Sequence, residues 1–239
     1  EKLAESITTG FPKHPTAWKV LGAVFQRLGR ISESVVAKEE AIKLAPNDAA
    51  AHNNLGNAFH ELGRSDEALT SYNRALTLKP DYAEAYVNLG FAIKNLAFNS
   101  SNPQLYPQLI QLLNAGNFVR PKDVAKSILS LLKQDNQIKE LLLNTNSTLS
   151  LEEATIIIKV LDKFPLLHHL MRVCPLPELQ FEKLFRAVRC SILTNLNEIQ
   201  ISRELIYFLS TLAMHCFTNE YVYIESDEET HLVDNFQTK

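Results

Sequence analysis

A residue pattern that returns every 34 positions constrains this chain more than any other feature of its sequence. Displacement by that step superimposes Trp18, His52 and Tyr86, then Leu21, Leu55 and Leu89, then Gly22, Gly56 and Gly90, then Phe25, Phe59 and Ile93. The register runs on through Gly29 over Gly63, Ala41 over Ala75 and Pro46 over Pro80, with Ser34 and Lys38 standing where the next copy has Ala68 and Tyr72. Agreement at so many independent positions marks a repeat unit that buries its faces against its own copies. Trp18, Leu21 and Phe25 fall at i, i+3 and i+7, on one side of a helix that can be buried against a partner. Small residues at Gly22, Gly56, Ala41 and Ala75 let backbones approach closely. Gly29 and Gly63 supply the left-handed residue that ends the first helix, Pro46 and Pro80 stop the second, and Asn47, Asp48 and Asp81 offer capping oxygens to the next. The unit is therefore an antiparallel helix pair.

At this period and with these residue types the sequence resembles the tetratricopeptide repeat (TPR) family, over roughly the first 95 residues. The resemblance implies an all-α TPR-type superhelix of antiparallel helix pairs. Pro12 occupies the place that one backward step predicts for a proline, so a partial repeat is expected over 1–14, followed by repeats 15–48 and 49–82. A degenerate repeat, 83–116, keeps Tyr106 and Leu109 in register but admits Pro103 and Pro107, which a first helical turn tolerates; its second helix is expected from about Pro103 to Ala115, closed by Gly116. Opening in mid-repeat without an initiator Met, the chain is expected to be a piece of a longer protein.

Residues 117–239 lose the repeat and form a second helical segment, expected to pack against the first. All seven glycines lie at or before Gly116, which suits helices joined by Pro, Asn and Ser better than a sheet with tight turns. Helical spacing joins Val124, Ile128, Leu131 and Leu132 between Pro121 and Gln134. Ser150 and Glu153 form a capping box that opens a helix ending at Pro165, and a short helix, Leu166 to Val173, follows. Apolar stripes run along Phe181, Leu184, Phe185, Val188 and Ile192, and along Leu205, Leu209, Leu212 and Cys216. The stretch Cys216 to Tyr223, followed by acidic Glu225 to Glu229, is similar to the helical region preceding the methyltransferase domain of bacterial TPR-containing S-adenosylmethionine-dependent methyltransferases. That resemblance implies a recruiting region whose catalytic domain lies outside this chain, since no glycine-rich loop after a strand is present.

Several function classes are disfavoured. A formal net charge of −3 lacks the basic excess that phosphate backbones require, so nucleic acid is not an expected partner. No apolar run reaches about 18 residues, so no membrane-spanning helix is expected. Three scattered cysteines, Cys174, Cys190 and Cys216, suggest a reducing, cytoplasmic compartment. His168-His169 with Cys174, and His215-Cys216, lack zinc-ligand spacing, and adjacent helical residues point about 100° apart. No nucleophile sits in a strand-turn-helix elbow, and the carboxylate pairs Glu39-Glu40 and Glu152-Glu153 belong to solvated helix faces. Neither enzyme activity nor a cofactor or metal is expected.

What remains is binding. The family resemblance implies that the first helix of each pair lines a concave groove for a peptide or partner helix. Here those positions are Lys19, Ala23, Gln26, Asn53, Asn54, Asn57, His60, Val87, Asn88, Phe91 and Lys94. Asparagine amides offer donors and acceptors to a peptide backbone without a charge to desolvate. Asn54 and Asn88, one period apart, resemble the asparagine ladder of the O-linked N-acetylglucosamine transferase repeats, broken in the first copy by Val20. A clamp for a C-terminal carboxylate is not expected, because only Lys19 fits: Ala23 stands where Asn is wanted and Glu84 where Lys is wanted. The leading reading is a non-catalytic protein–protein interaction scaffold. The methyltransferase recruiting region is the alternative, and a self-associating module that stacks exposed solenoid ends into homo-oligomers is a third.

Overall fold

The computed structural model describes residues 2–94, 96–115, 117–144, 146 and 148–218. Among the described residues there are thirteen α-helices, one 3-10 turn and no strand, so the fold is all-α. A boundary after Lys94 divides the chain into two compact units.

The first unit comprises α1 (Lys2–Gly10), α2 (Pro15–Arg27), α3 (Ile31–Leu44), α4 (Ala49–Glu61), α5 (Ser65–Leu78) and α6 (Ala83–Ile93). Helices α2 and α3 form one antiparallel pair and α4 and α5 the next, with α1 packed on α2, α3 on α4, and α5 on α6. Both intra-pair turns are built alike. Gly29 and Gly63 sit at φ 73° and 72°, and the amides of Arg30 and Arg64 donate back to Phe25 O and Phe59 O, each at 2.9 Å. This satisfies helix-end carbonyls in a Schellman arrangement that a left-handed residue makes available. The same two arginines lie over the rings of Phe25 and Phe59, 4.6 and 4.5 Å from the centroids, and pair with Glu33 and Glu67 three residues on.

Interlocking sizes hold each pair together. Leu21 and Phe25 are buried against Ala37, and Leu55 and Phe59 are buried at the equivalent positions. A Cβ on Gly56 would lie 2.6 Å from Tyr72 Cε1, so the glycine makes the space that the ring fills. Trp18 is half-buried rather than engulfed. Its indole N–H donates to Pro12 O at 2.8 Å, and its register mates do likewise: His52 Nε2 to Pro46 O at 3.0 Å, Tyr86 Oη to Pro80 O at 3.2 Å. The polar tip must reach the preceding turn, which keeps the side chain toward the rim.

The second unit contains a 3-10 turn (Pro103–Leu105) running into α7 (Tyr106–Ala115), then α8 (Pro121–Leu132), α9 (Asn136–Asn144), α10 (Leu151–Leu161), α11 (Pro165–Val173), α12 (Leu179–Thr194) and α13 (Arg203–Thr218). The helix read from the sequence as the end of a degenerate repeat is α7, and it packs within this unit on α11. The apolar α11 also meets α8 and α13, burying Leu166, Leu167, Leu170 and Met171. Phe98 is pinned to α8, donating its amide to Ser130 Oγ and accepting from Gln134 Nε2. The capping box opens α10 as expected, with Ser150 N to Glu153 Oε2 at 2.7 Å and Glu153 N to Ser150 Oγ at 3.2 Å. Gly116 and residues 219–239, which hold the acidic run Glu225 to Glu229 and most of the Cys216 to Tyr223 stretch, lie outside the described residues.

The stripe expected on α13 is a correction. Leu209 is 37% exposed, and the buried side is Leu205, Phe208, Thr211, Leu212 and His215. Polar side chains enter the core because each has a partner: His215 Nε2 meets Glu182 Oε1 at 2.9 Å, and Arg172 donates to Thr211 Oγ1 at 3.3 Å. The residues weighed as metal ligands turn to backbone carbonyls instead, His168 Nε2 to Leu161 O, His169 Nδ1 to Pro165 O and Cys174 Sγ to Leu170 O. His168 is 1% exposed with a ring 4.6 Å from that of Tyr207, and among the described residues its Nδ1 has no hydrogen-bond partner. Burial drives its pKa from 6.5 down to about 4, with the Leu161 carbonyl acting in the opposite direction.

Two expected outcomes follow from this packing. Gly56→Ala drives a methyl into the Tyr72 ring, an overpacking cost of about 1–3 kcal/mol that outweighs the roughly 1 kcal/mol gained in helix propensity. Gly22→Ala meets the flexible stem of Lys38 instead and costs less; equal urea midpoints for the two variants would contradict the interlock. For His168, the unfolded chain binds the extra proton between pH about 4 and 6.5, so its contribution is complete above pH 6.5 and lost as pH falls toward 4. The full shift corresponds to about 3 kcal/mol. Urea titrations of His168→Gln across that range should lack this part of the acid sensitivity, and a slope equal to wild type would refute the assignment.

Candidate functional site

The helices α2, α4 and α6 present equivalent positions one repeat apart: Val20, Asn54 and Asn88; Ala23, Asn57 and Phe91; Gln26, His60 and Lys94. Their side chains divide into two groups. One group ties successive first helices together. Lys19 Nζ donates to Asp48 Oδ2 at 2.7 Å, while Asp48 also caps α4 by accepting from Ala51 N at 3.1 Å. Burial works against ionising Asp48, but Lys19 and the helix amides hold its carboxyl below the usual range. Gln26 Nε2 donates to Glu61 at the far end of α4. Asn53 is fully buried, its Nδ2 donating to Glu84 Oε1 at 3.1 Å and its Oδ1 accepting from Asn88 Nδ2 at 3.0 Å. Asn57 Oδ1 accepts from Tyr72 Oη at 2.8 Å, a bond internal to the second pair.

The other group faces outward. Ala23, Asn54, His60, Phe91 and Lys94 are exposed, Phe91 at 63%, and Val87 is intermediate. Lys94 lies one residue past the end of α6. The eleven positions named from the sequence thus differ in exposure and in what they bond. Asn53 is an interior tie, Lys19, Gln26, Asn57 and Asn88 are partly engaged, and the open part runs through Ala23, Asn54, His60 and Phe91.

Between α2, α3 and α4 lies a cleft of about 100 Å3, lined by Lys19, Ala23, Gln26, Lys38, Ala41, Ala51 and Asn54. Lys38 was visible in the sequence only as a departure from Tyr72 in register. In the structure it is buried, donates to Gln26 Oε1, and is held down to a pKa of about 8 by burial, with Glu61 acting in the opposite direction. Among the described residues, no three His, Cys, Asp or Glu side chains converge as metal ligands.

Comparison with known proteins bears on the repeats. A family model described as TPR repeat matches residues 22–63 and 56–96. No curated protein matches the sequence. The solved structure titled "Functional Characterization of Pseudomonas Aeruginosa pilF" is 17% identical, with 95% of this chain and 99% of that chain covered at a TM-score of 0.35. That likeness is too slight to carry the fold, which rests on the repeated helices themselves. With the 34-residue register, two identical glycine turns and the family match coinciding, the chain carries TPR repeats over residues 22–96.

Proposed function

We propose that the first unit is a non-catalytic interaction scaffold that holds an extended segment of a protein partner across the faces of α2, α4 and α6. The observation that carries this reading is Phe91, a large apolar side chain left 63% exposed on the face that also presents Asn54 and His60. Covering such a ring is worth about 1.5–3 kcal/mol, enough to anchor a peptide. The exposed Asn54 amide on α4 offers both a donor and an acceptor to a peptide backbone. TPR repeats are protein-binding units, and with a net charge of −3 the chain suits a protein partner better than nucleic acid. No described helix is long and apolar enough to cross a membrane.

The test separates binding from stability. Peptides selected on the full chain from a random heptapeptide library should bind Phe91→Ala roughly 10- to 100-fold more weakly by calorimetry, the range set by the ring's burial. Its melting temperature should stay close to wild type, because the ring is exposed. Asn88→Ala should instead lower the melting temperature, since it leaves the buried Asn53 Oδ1 without its donor. Unchanged peptide affinity in Phe91→Ala would rule out this face as the binding surface.

A further inference from the structure

Lys38 occupies a position that the repeat does not reserve for a charge. One period on, the site holds Tyr72, whose ring packs on Gly56 and whose hydroxyl bonds Asn57. In the first pair the lysine stem runs over Gly22, where an added Cβ would lie 2.9 Å from Lys38 Cγ, and the side chain is only 4% exposed. A Met or Leu there would fill the apolar space without a charge to desolvate. The ammonium nonetheless has one hydrogen bond, to Gln26 Oε1. Among the described residues it has no carboxylate within ion-pair distance. Glu61 reaches it only through Gln26, whose Nε2 donates to that carboxylate. The neighbouring Lys19 is already neutralised by Asp48 at 2.7 Å. Two of the three Lys38 donors are thus left for a group entering the cleft, which has about the volume of three waters.

We infer that this cleft is an acid-recognition pocket: it accepts an Asp or Glu side chain of the bound peptide, whose carboxylate meets Lys38 Nζ between Ala23 and Asn54. The inference rests on the proposed peptide-binding face and adds a residue class to it. The fit is electrostatic as well as steric. An ammonium withdrawn from water is stabilised by an anion that shares its burial, and a carboxylate completes the donor set that Gln26 begins. This pocket differs from a clamp for a chain terminus, because its cation comes from the second helix of a pair and its acid from within the peptide.

The experiment uses the full chain and two random heptapeptide libraries, one fused at its C-terminus to the display scaffold and one with free C-termini. Selection from the fused library should enrich an acidic residue at one fixed position. A selected peptide should bind at least tenfold more weakly to Lys38→Met. The same peptide with that Glu changed to Gln should be equally weak on wild type and lose nothing further on Lys38→Met. The variant should melt no lower than wild type, since it removes a buried charge. Selected peptides without a recurring acid, or with affinity indifferent to Lys38→Met, overturn the pocket while leaving the binding face in place. Acid-independent enrichment confined to the free-terminus library assigns the pocket to a terminal carboxylate and overturns the side-chain assignment. Failure of both libraries to yield any binder overturns the peptide-binding reading and the pocket with it.

Discussion

A proline that stops a helix leaves a carbonyl without an intrahelical donor, and in this chain the following helix supplies that donor from a side chain. Trp18, His52 and Tyr86 each reach back six residues to the carbonyls of Pro12, Pro46 and Pro80. Indole, imidazole and phenol share little beyond a flat apolar body and a polar hydrogen at the tip, and those are the two properties the position needs. The bond fixes each first helix on the turn before it. The glycine turns then return the chain, and the second helix delivers the large residue that fills the space opposite Gly22 or Gly56. Repeated at constant spacing, this sequence of contacts builds the first unit.

The lateral ties have a consequence for function. Side chains that would otherwise be free to meet a ligand, Lys19, Gln26, Asn53 and Asn88, link one first helix to the next. A polar face of this kind is preorganised, because its side chains are already held and need not be ordered on binding. On the proposed binding face, the groups left for a ligand are therefore few: an exposed ring at Phe91, an amide at Asn54 and the sunken ammonium of Lys38.

Much of the architecture was legible in the sequence. The repeat, its glycine turns, the proline stops, the Ser150–Glu153 box and the apolar run of α11 all follow from local rules. What escaped the sequence depends on neighbours distant along the chain. Adjacent Asn53 and Asn54 are chemically identical, yet Asn53 is buried and bonded to Glu84 and Asn88 while Asn54 is exposed. On α13, apolar periodicity favoured Leu209 and Cys216, while the structure buries Thr211 and His215 because Arg172 and Glu182 lie opposite. Of the α9 residues only Ile138 is buried. Lys38 stood out as an irregularity of register, yet its burial and its cleft became apparent only with α2 and α4 in place.

Residues 2–94 stack in repeated steps, joined at each step by a side-chain bond to the carbonyl of the preceding proline. Inserting a second copy of residues 48–81 directly after Asp81 adds one step of 34 residues and preserves the Asp48 cap and the proline carbonyl at each junction. Thermal unfolding followed by circular dichroism tests this most directly. An additive stack predicts two helices' worth of extra ellipticity and a higher melting temperature, because each new step brings its own neighbour interfaces. An insertion that adds no helix, or lowers the melting temperature, would contradict it.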